Sequence, residues 1–248
     1  MCETSTTPFH ARLIAPATVS VFVTGHRFGP TWLGLKAPKG PPLYPHVIAA
    51  LPGKNTKVAV EPFLKLYPFY STAKNVLVSA FSSWNFVGQP GTTVCNAGRI
   101  EYANLVLKCD YHQYHEGQTP SVRRVIMGIR DETAALVRAI GGKVLLTREV
   151  TKHYLDARFA VAVPVGPHAL KERYLSENVP YGLVPMSEFG EKLGVATPLI
   201  NSIIEIASVL NKEDYRKTGR TLETLGLDRL NKEQIMNLVG RGILLEQR

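Results

Sequence analysis

Cysteine is scarce in this chain: its 248 residues include Cys2, Cys95 and Cys109 and no CxxC pair. That excludes a disulfide framework and a thiolate zinc site, and it fits free thiols in a reducing compartment. No apolar run approaches the ~20 residues of a membrane-spanning helix, and the N-terminus has no apolar signal core. The expected location is cytoplasmic, with no membrane partner. No G-x-G-x-x-G occurs, and Gly25, Gly29 and Gly34 are too irregularly placed to replace that phosphate-cradling turn. Lys and Arg outnumber Asp and Glu by 29 to 20, a formal charge of +9. The cations nevertheless form no run of five and no aromatic-basic motif of an RNA-recognition module, so they read as a solvated surface and nucleic acid is not the expected partner. His112, His115 and His153 lack metal-ligand spacing and read as surface or structural histidines. No metal is expected.

What is present fits a globular chain. Hydrophobic residues make up 45% and charged residues 20%, enough to bury one large core or two small ones. Residues 1–72 read as strand and loop. Ala17–Thr24 alternates with β-branched residues, and His46–Pro52 is a short apolar run stopped by proline, so both are expected strands. The segment from Gly29 to Pro45 holds five prolines and is expected to be a loop, and Glu61–Tyr67 a short helix. From Asn75 the spacing becomes helical. Thr119–Pro120 supplies an N-cap and an N1 proline ahead of Val122, Val125, Ile126 and Ile129; Leu136, Val137 and Ile140 continue to a stop at Gly141–Gly142. Thr197–Pro198 repeats the start signal before Ile200, Ile203, Ile204, Ala207 and Leu210. Asn231 with Gln234 forms a capping-box pattern before Ile235, Leu238 and Val239. Gly194, Gly226 and Gly240 are expected helix stops.

The most informative stretch is Arg173–Pro185, which sets a cation, an acid, an amide and two tyrosines among Pro and Gly just before a helix. It resembles the Arg-Tyr-x-x-Glu-Asp-(Val/Ile)-Pro-Tyr-Gly-Leu-Val-Pro signature of the octopine/nopaline (opine) dehydrogenase family. Four further matches keep family order: Glu3–Phe9, Trp84–Pro90 with Asn96–Glu101, His115–Val122, and Gly219–Glu223 with Leu225–Leu227. The resemblance implies the second half of a Rossmann-type α/β sheet in 1–72 and the all-α C-terminal domain of that family in 73–248. It implies NAD or NADP as cofactor, a small carboxylate-bearing substrate, and association as a homodimer or with a partner chain. The segment at Glu3–Phe9 lies beside the nicotinamide and keto-acid site in the family. By resemblance Thr4 and Ser5 therefore face cofactor and Thr6 faces substrate. Arg173 and Tyr181 are the further candidate substrate-binding residues, with Arg173 able to fork onto a carboxylate.

Two departures qualify what the resemblance implies. A full family member has a first nucleotide-binding half ahead of the Glu3–Phe9 segment, and here that segment follows Met1 almost directly. The family's catalytic His corresponds to Gln89 and its catalytic Asp to Asn178, and neither amide titrates near neutral pH. Gln89, Asn178 and the nearby Asn85 thus become the residues of the reacting centre. Three readings follow: a relative of amino acid/keto acid oxidoreductases without autonomous redox activity; a non-redox isomerase, cyclase or condensing enzyme using the amides as polarising donors; or a binding subunit that pairs with a partner.

Overall fold

The computed structural model describes residues 20–24, 46–66, 68, 70–160 and 165–242. The Glu3–Phe9 segment with Thr4, Ser5 and Thr6, the expected loop from Gly29 to Pro45, and residues 17–19 of the first expected strand lie outside the described residues.

Three strands open the described chain: β1 (Ser20–Thr24), β2 (His46–Leu51) and β3 (Tyr70–Thr72). β2 is central. β1 runs antiparallel to it, with Ser20 opposite Leu51 and Thr24 opposite Val47, whereas β3 runs parallel, with His46 beside Tyr70. The reason β2 takes the middle lies in its composition: Val47, Ile48, Ala49 and Ala50 are all fully buried, as a continuous apolar run covered on both faces requires. Between β2 and β3 lies α1 (Thr56–Leu66), which starts five residues before the helix expected from the sequence and passes through Pro62. Its first residue explains the early start, because Thr56 Oγ1 accepts the Ala50 N–H at 3.1 Å and ties the helix to the sheet.

The remainder is helical: α2 (Val76–Phe81), α3 (Trp84–Cys95), α4 (Ala97–Glu101), α5 (Pro120–Ala139), α6 (Arg148–Ala160), α7 (Arg173–Ser176), α8 (Val184–Leu193), α9 (Pro198–Asn211), α10 (Tyr215–Thr218) and α11 (Lys232–Arg241). Two π-helical turns, Tyr102–Leu107 and Val179–Leu183, follow α4 and precede α8. α3 is the central rod, since every residue from Trp84 to Thr93 is buried. The main core joins Val47 and Ala49 of β2 to side chains of α2, α3, α5, α8 and α9. Ser79 Oγ donates to Val47 O at 3.1 Å and fixes α2 across the sheet. A smaller cluster groups Trp84, Val87, Val122, Ile126, Leu146, Tyr154 and Leu155 between α3, α5 and α6.

The apolar positions expected for α5 and α9 face the core. Val122, Ile126, Ile129, Leu136 and Val137 of α5 are buried, as are Ile200, Ile203, Ile204 and Ala207 of α9. The caps differ from the sequence expectation. Pro120 and Pro198 do begin their helices, yet neither Thr119 nor Thr197 makes a side-chain cap bond. For α9 the role passes to a distant acid: Glu132 of α5 accepts from Leu199 N at 2.8 Å and Ile200 N at 2.9 Å. A carboxylate there satisfies two orphan donors and complements the positive end of the helix. Burial nonetheless raises the Glu132 pKa above the usual carboxylate value, more than those two bonds lower it. The Asn231–Gln234 capping box forms as expected. Gly194 closes α8 at φ +67°, but Gly240 lies inside α11, and Gly242 at φ +72° is the stop. Among described residues no helix is long and apolar enough to cross a membrane.

Candidate functional site

Gln89 sits in the buried middle of α3, with Asn85 one turn before it. Asn178 precedes the π-helical turn Val179–Leu183, and the structure brings all three amides together. Asn178 Nδ2 donates to Gln89 Oε1 at 2.7 Å, and Gln89 Nε2 donates to Asn85 Oδ1 at 3.3 Å. A fourth member escaped the sequence reading: the hydroxyl of Tyr114, at 2.8 Å from Gln89 Nε2. Gln89 and Asn85 are each 4% exposed and Asn178 1%, so the cluster is shielded from bulk water.

Three local features hold this arrangement. Gly182 lies against the Phe86 ring; a Cβ there would fall 2.5 Å from Cε1 and nearer still to Cδ1, so only glycine lets the π-helical turn approach α3 this closely. Gln113 Nε2 bonds Gln89 O at 3.2 Å and Thr93 Oγ1 at 2.8 Å, which binds the Tyr114 loop to α3. Arg99 then clamps the same loop from α4, with Nε at 2.9 Å and one terminal nitrogen at 2.8 Å from Glu116 Oε2. Asn96 Nδ2 adds a bond to Gly117 O at 2.9 Å. The Asn96–Glu101 and His115–Val122 motifs are therefore neighbours in space. Behind them Tyr111 is fully buried, and burial with the nearby Glu116 charge pushes its phenol well above the ordinary value.

Counting donors limits what the cluster can do. A primary amide offers two hydrogens and one oxygen. Gln89 uses both hydrogens on Asn85 and Tyr114, and Asn178 directs Nδ2 to Gln89 Oε1 and to Tyr174 O at 3.3 Å. Among the described residues, Asn85 Nδ2 and Asn178 Oδ1 have no side-chain hydrogen-bond partner. One amide nitrogen with two hydrogens, on Asn85, and one amide oxygen, on Asn178, are thus left for a ligand, and none of these groups exchanges a proton near neutral pH.

The other expected residues stand outside this network. Arg173 on α7 pairs with Glu177 at 3.4 Å and lies 5.8 Å from the centroid of the Tyr174 ring. Tyr181 is half-buried, and the guanidinium of Arg220 lies 5.4 Å from its ring centroid. Arg220 N also donates to Pro180 O at 2.8 Å, so the Gly219–Glu223 motif docks onto the Arg173–Pro185 stretch. The described residues contain no cluster of three or more metal-ligating side chains.

Comparison with known proteins agrees with this architecture. Residues 72–211 match the model of the NAD/NADP octopine/nopaline dehydrogenase alpha-helical domain. Opine dehydrogenase from Arthrobacter sp. (strain 1C) is 34% identical over 202 residues, covering 77% of this chain and 55% of the relative. Protein ocs from Agrobacterium vitis is 28% identical over 167 residues, covering 63% of this chain and 46% of the relative. The chain thus spans about half the length of the curated relatives it matches. Among solved structures, octopine dehydrogenase in complex with NADH and agmatine superposes with a TM-score of 0.56 at 15% identity, over 82% of this chain and 59% of that one. Octopine dehydrogenase with NADH and L-arginine gives 0.55 at 16% identity, over the same shares. The family model covers more than half of the sequence, and the chain belongs to the octopine/nopaline dehydrogenase family through its alpha-helical domain.

Proposed function

We propose that this chain is the substrate-binding half of an amino acid/keto acid oxidoreductase scaffold, and that by itself it does not catalyse the NAD(P)-linked reaction. The observation that carries this reading is the Asn178–Gln89 amide pair, bonded at 2.7 Å at the positions where the family resemblance places an Asp and a His. A His beside an Asp can move a proton and hold a charged form; an amide bonded to an amide can only orient. The two substitutions compensate each other, because an acid left in this buried place without its imidazolium would be an unpaired charge.

The described residues include no glycine-rich turn of the G-x-G-x-x-G kind for a pyrophosphate. By resemblance the pyrophosphate turn belongs to the first nucleotide-binding half, whereas the strand-turn-helix after β2 belongs to the second. The turn after β2 is Pro52–Gly53–Lys54–Asn55, and Gly53 is walled by backbone: a Cβ on it would lie 2.5 Å from Lys74 O. The Cβ and Cγ of Pro52 in turn stand 3.2 Å from the corresponding point at Gly242. No reaction step is assigned through NAD or NADP on these residues.

What remains is recognition of a small ligand. Asn85 Nδ2 complements a carbonyl or carboxylate oxygen, and Asn178 Oδ1 complements an amine N–H, the two kinds of group that a small amino acid offers. A non-redox reaction relying on several amide donors has less to draw on, since the hydrogens of Gln89 and Asn178 are engaged inside the cluster. The test is cofactor consumption by the purified chain with NADH or NADPH and a panel of α-keto acid and amino-acid pairs, together with calorimetric titration of the amino acids. Binding without turnover is the expected result. Consumption of either cofactor overturns the reading.

A further inference from the structure

Arg220 differs from Arg173, the other arginine of this region, in its partners. Arg173 is neutralised by Glu177 one turn along the chain. Among the described residues, Arg220 has no carboxylate partner and no side-chain hydrogen bond; its guanidinium lies across the Tyr181 ring, 5.4 Å from the centroid. It is half-buried, and loss of water draws its pKa below the usual guanidinium value. A half-desolvated cation without a counter-ion is an unusual thing for a protein to keep.

Its placement is fixed rather than accidental. Gly219 has no room for a side chain, since a Cβ there would lie 2.9 Å from Pro180 O and 3.1 Å from Val184 Cγ2. This close approach lets Arg220 N bond Pro180 O at 2.8 Å, two residues beyond Asn178. Its place over the Tyr181 ring restricts the guanidinium, and, with no side-chain hydrogen bond among the described residues, its N–H groups remain for a planar anion, which arginine binds with two parallel bonds.

We infer that Arg220, held across Tyr181, is the seat for the carboxylate of the ligand, in place of Arg173, whose charge is already matched by Glu177. This rests on the reading of the region as a site for a small carboxylate-bearing molecule, and it names the residue that selects for the carboxylate. Arg173 is then a brace of α7. The seat is specific for a planar carboxylate, so a neutral ester of the same shape is rejected.

Calorimetry with pyruvate and with methyl pyruvate tests the assignment on the full chain. The native chain is expected to bind pyruvate and not the ester. Arg220→Gln weakens pyruvate binding by about tenfold or more, while Arg220→Lys, which keeps the charge and loses the fork, lies between. Arg173→Gln stays within about twofold of the native chain. Because Arg220→Gln also removes the contact with Tyr181, the unmodified protein supplies a second readout. Pyruvate should slow phenylglyoxal modification of Arg220 and leave that of Arg229, whose side chain is 93% exposed, unchanged. No binding of pyruvate to the native chain, undiminished binding to Arg220→Gln, a loss that follows Arg173→Gln instead, or absence of protection at Arg220 each overturns the inference. Its failure is separable from that of the proposed function. Cofactor consumption by the native chain sinks the redox-silent reading and leaves the seat standing; unchanged pyruvate binding to Arg220→Gln does the reverse.

Discussion

Two of the polar groups buried in this helical domain, Gln89 and Arg130, are accommodated in opposite ways. The side chains that bond Gln89 are all neutral, and each amide hydrogen of Gln89 meets an acceptor within the protein. Arg130, 4% exposed, keeps its charge: Nε donates to Leu146 O at 2.6 Å, and Nη1 meets Asp131 at 2.6 Å. Asp131 is 41% exposed and is shared with Arg148 at 2.7 Å, so the buried cation is neutralised by an acid that remains wet. Burying a full ion pair costs several kcal/mol per charge, about the scale of a domain's entire stability margin. The comparison teaches that the buried Arg130 charge is kept beside an acid that reaches solvent. The Gln89 cluster has no such outlet and consists of neutral groups that bond one another.

The sharpest way to break the comparison is to separate the elements that form the amide cluster. Gly182→Val should drive a side chain into the Phe86 ring and push the π-helical turn off α3, destabilising the chain by about 3 kcal/mol. A urea midpoint within error of the native chain would show that the approach of the two elements is not tight. Next in size is Asn178→Asp, which installs an uncompensated carboxyl and should cost about 2–3 kcal/mol at neutral pH. The sign of its pH dependence follows from burial. The introduced carboxyl has a folded pKa above its unfolded one, so the loss is least at acid pH and grows as pH rises through the folded pKa. Adding Gln89→His should recover about 1 kcal/mol or more of that loss, which a double-mutant cycle in thermal unfolding measures directly. Additive effects would mean that the two positions do not communicate.

On the charged side, Arg130→Met should cost about 1–3 kcal/mol through loss of the Leu146 carbonyl bond, with Asp131 still solvated and still able to pair with Arg148. A larger loss than that of Asn178→Asp would reverse the ranking of the two clusters. The smallest effect is expected at Glu132. Burial raises its folded pKa above the unfolded value, so its contribution is complete below the unfolded pKa and declines as pH rises through the folded one. Glu132→Gln should therefore flatten stability against pH in the carboxylate range, read as melting temperature across a pH series. An unchanged slope would mean that the cap bonds to Leu199 and Ile200 cancel the effect of burial.

How much of this was readable in advance depends on whether the determinant was local. The core faces of α5 and α9 followed from periodicity, and the Asn231 capping box from a four-residue pattern, because each depends on groups within a turn of one another. The start of α9 was legible but its cap was not, since Glu132 arrives from 67 residues away. Gly240 was read as a stop in place of Gly242 because both follow the last apolar residues of α11, and only backbone conformation separates them. Tyr114 and Gln113 carried no local signal beyond lying just ahead of the Gly117–Pro120 motif.

The sequence by itself determined the family and the helical identity of the larger part, and by resemblance it set Gln89 and Asn178 against a titratable pair. These depend on residue identity and short spacings, which survive without coordinates. Tertiary structure alone decided that Asn178 meets Gln89 across 89 positions of chain, that Tyr114 closes the network, and that, among the described residues, Arg173 has an acid partner while Arg220 has none. Each of these turns on which donors and charges are left over after packing. That remainder is set by long-range contacts: the Phe86 ring against Gly182, and Gly219 against Pro180.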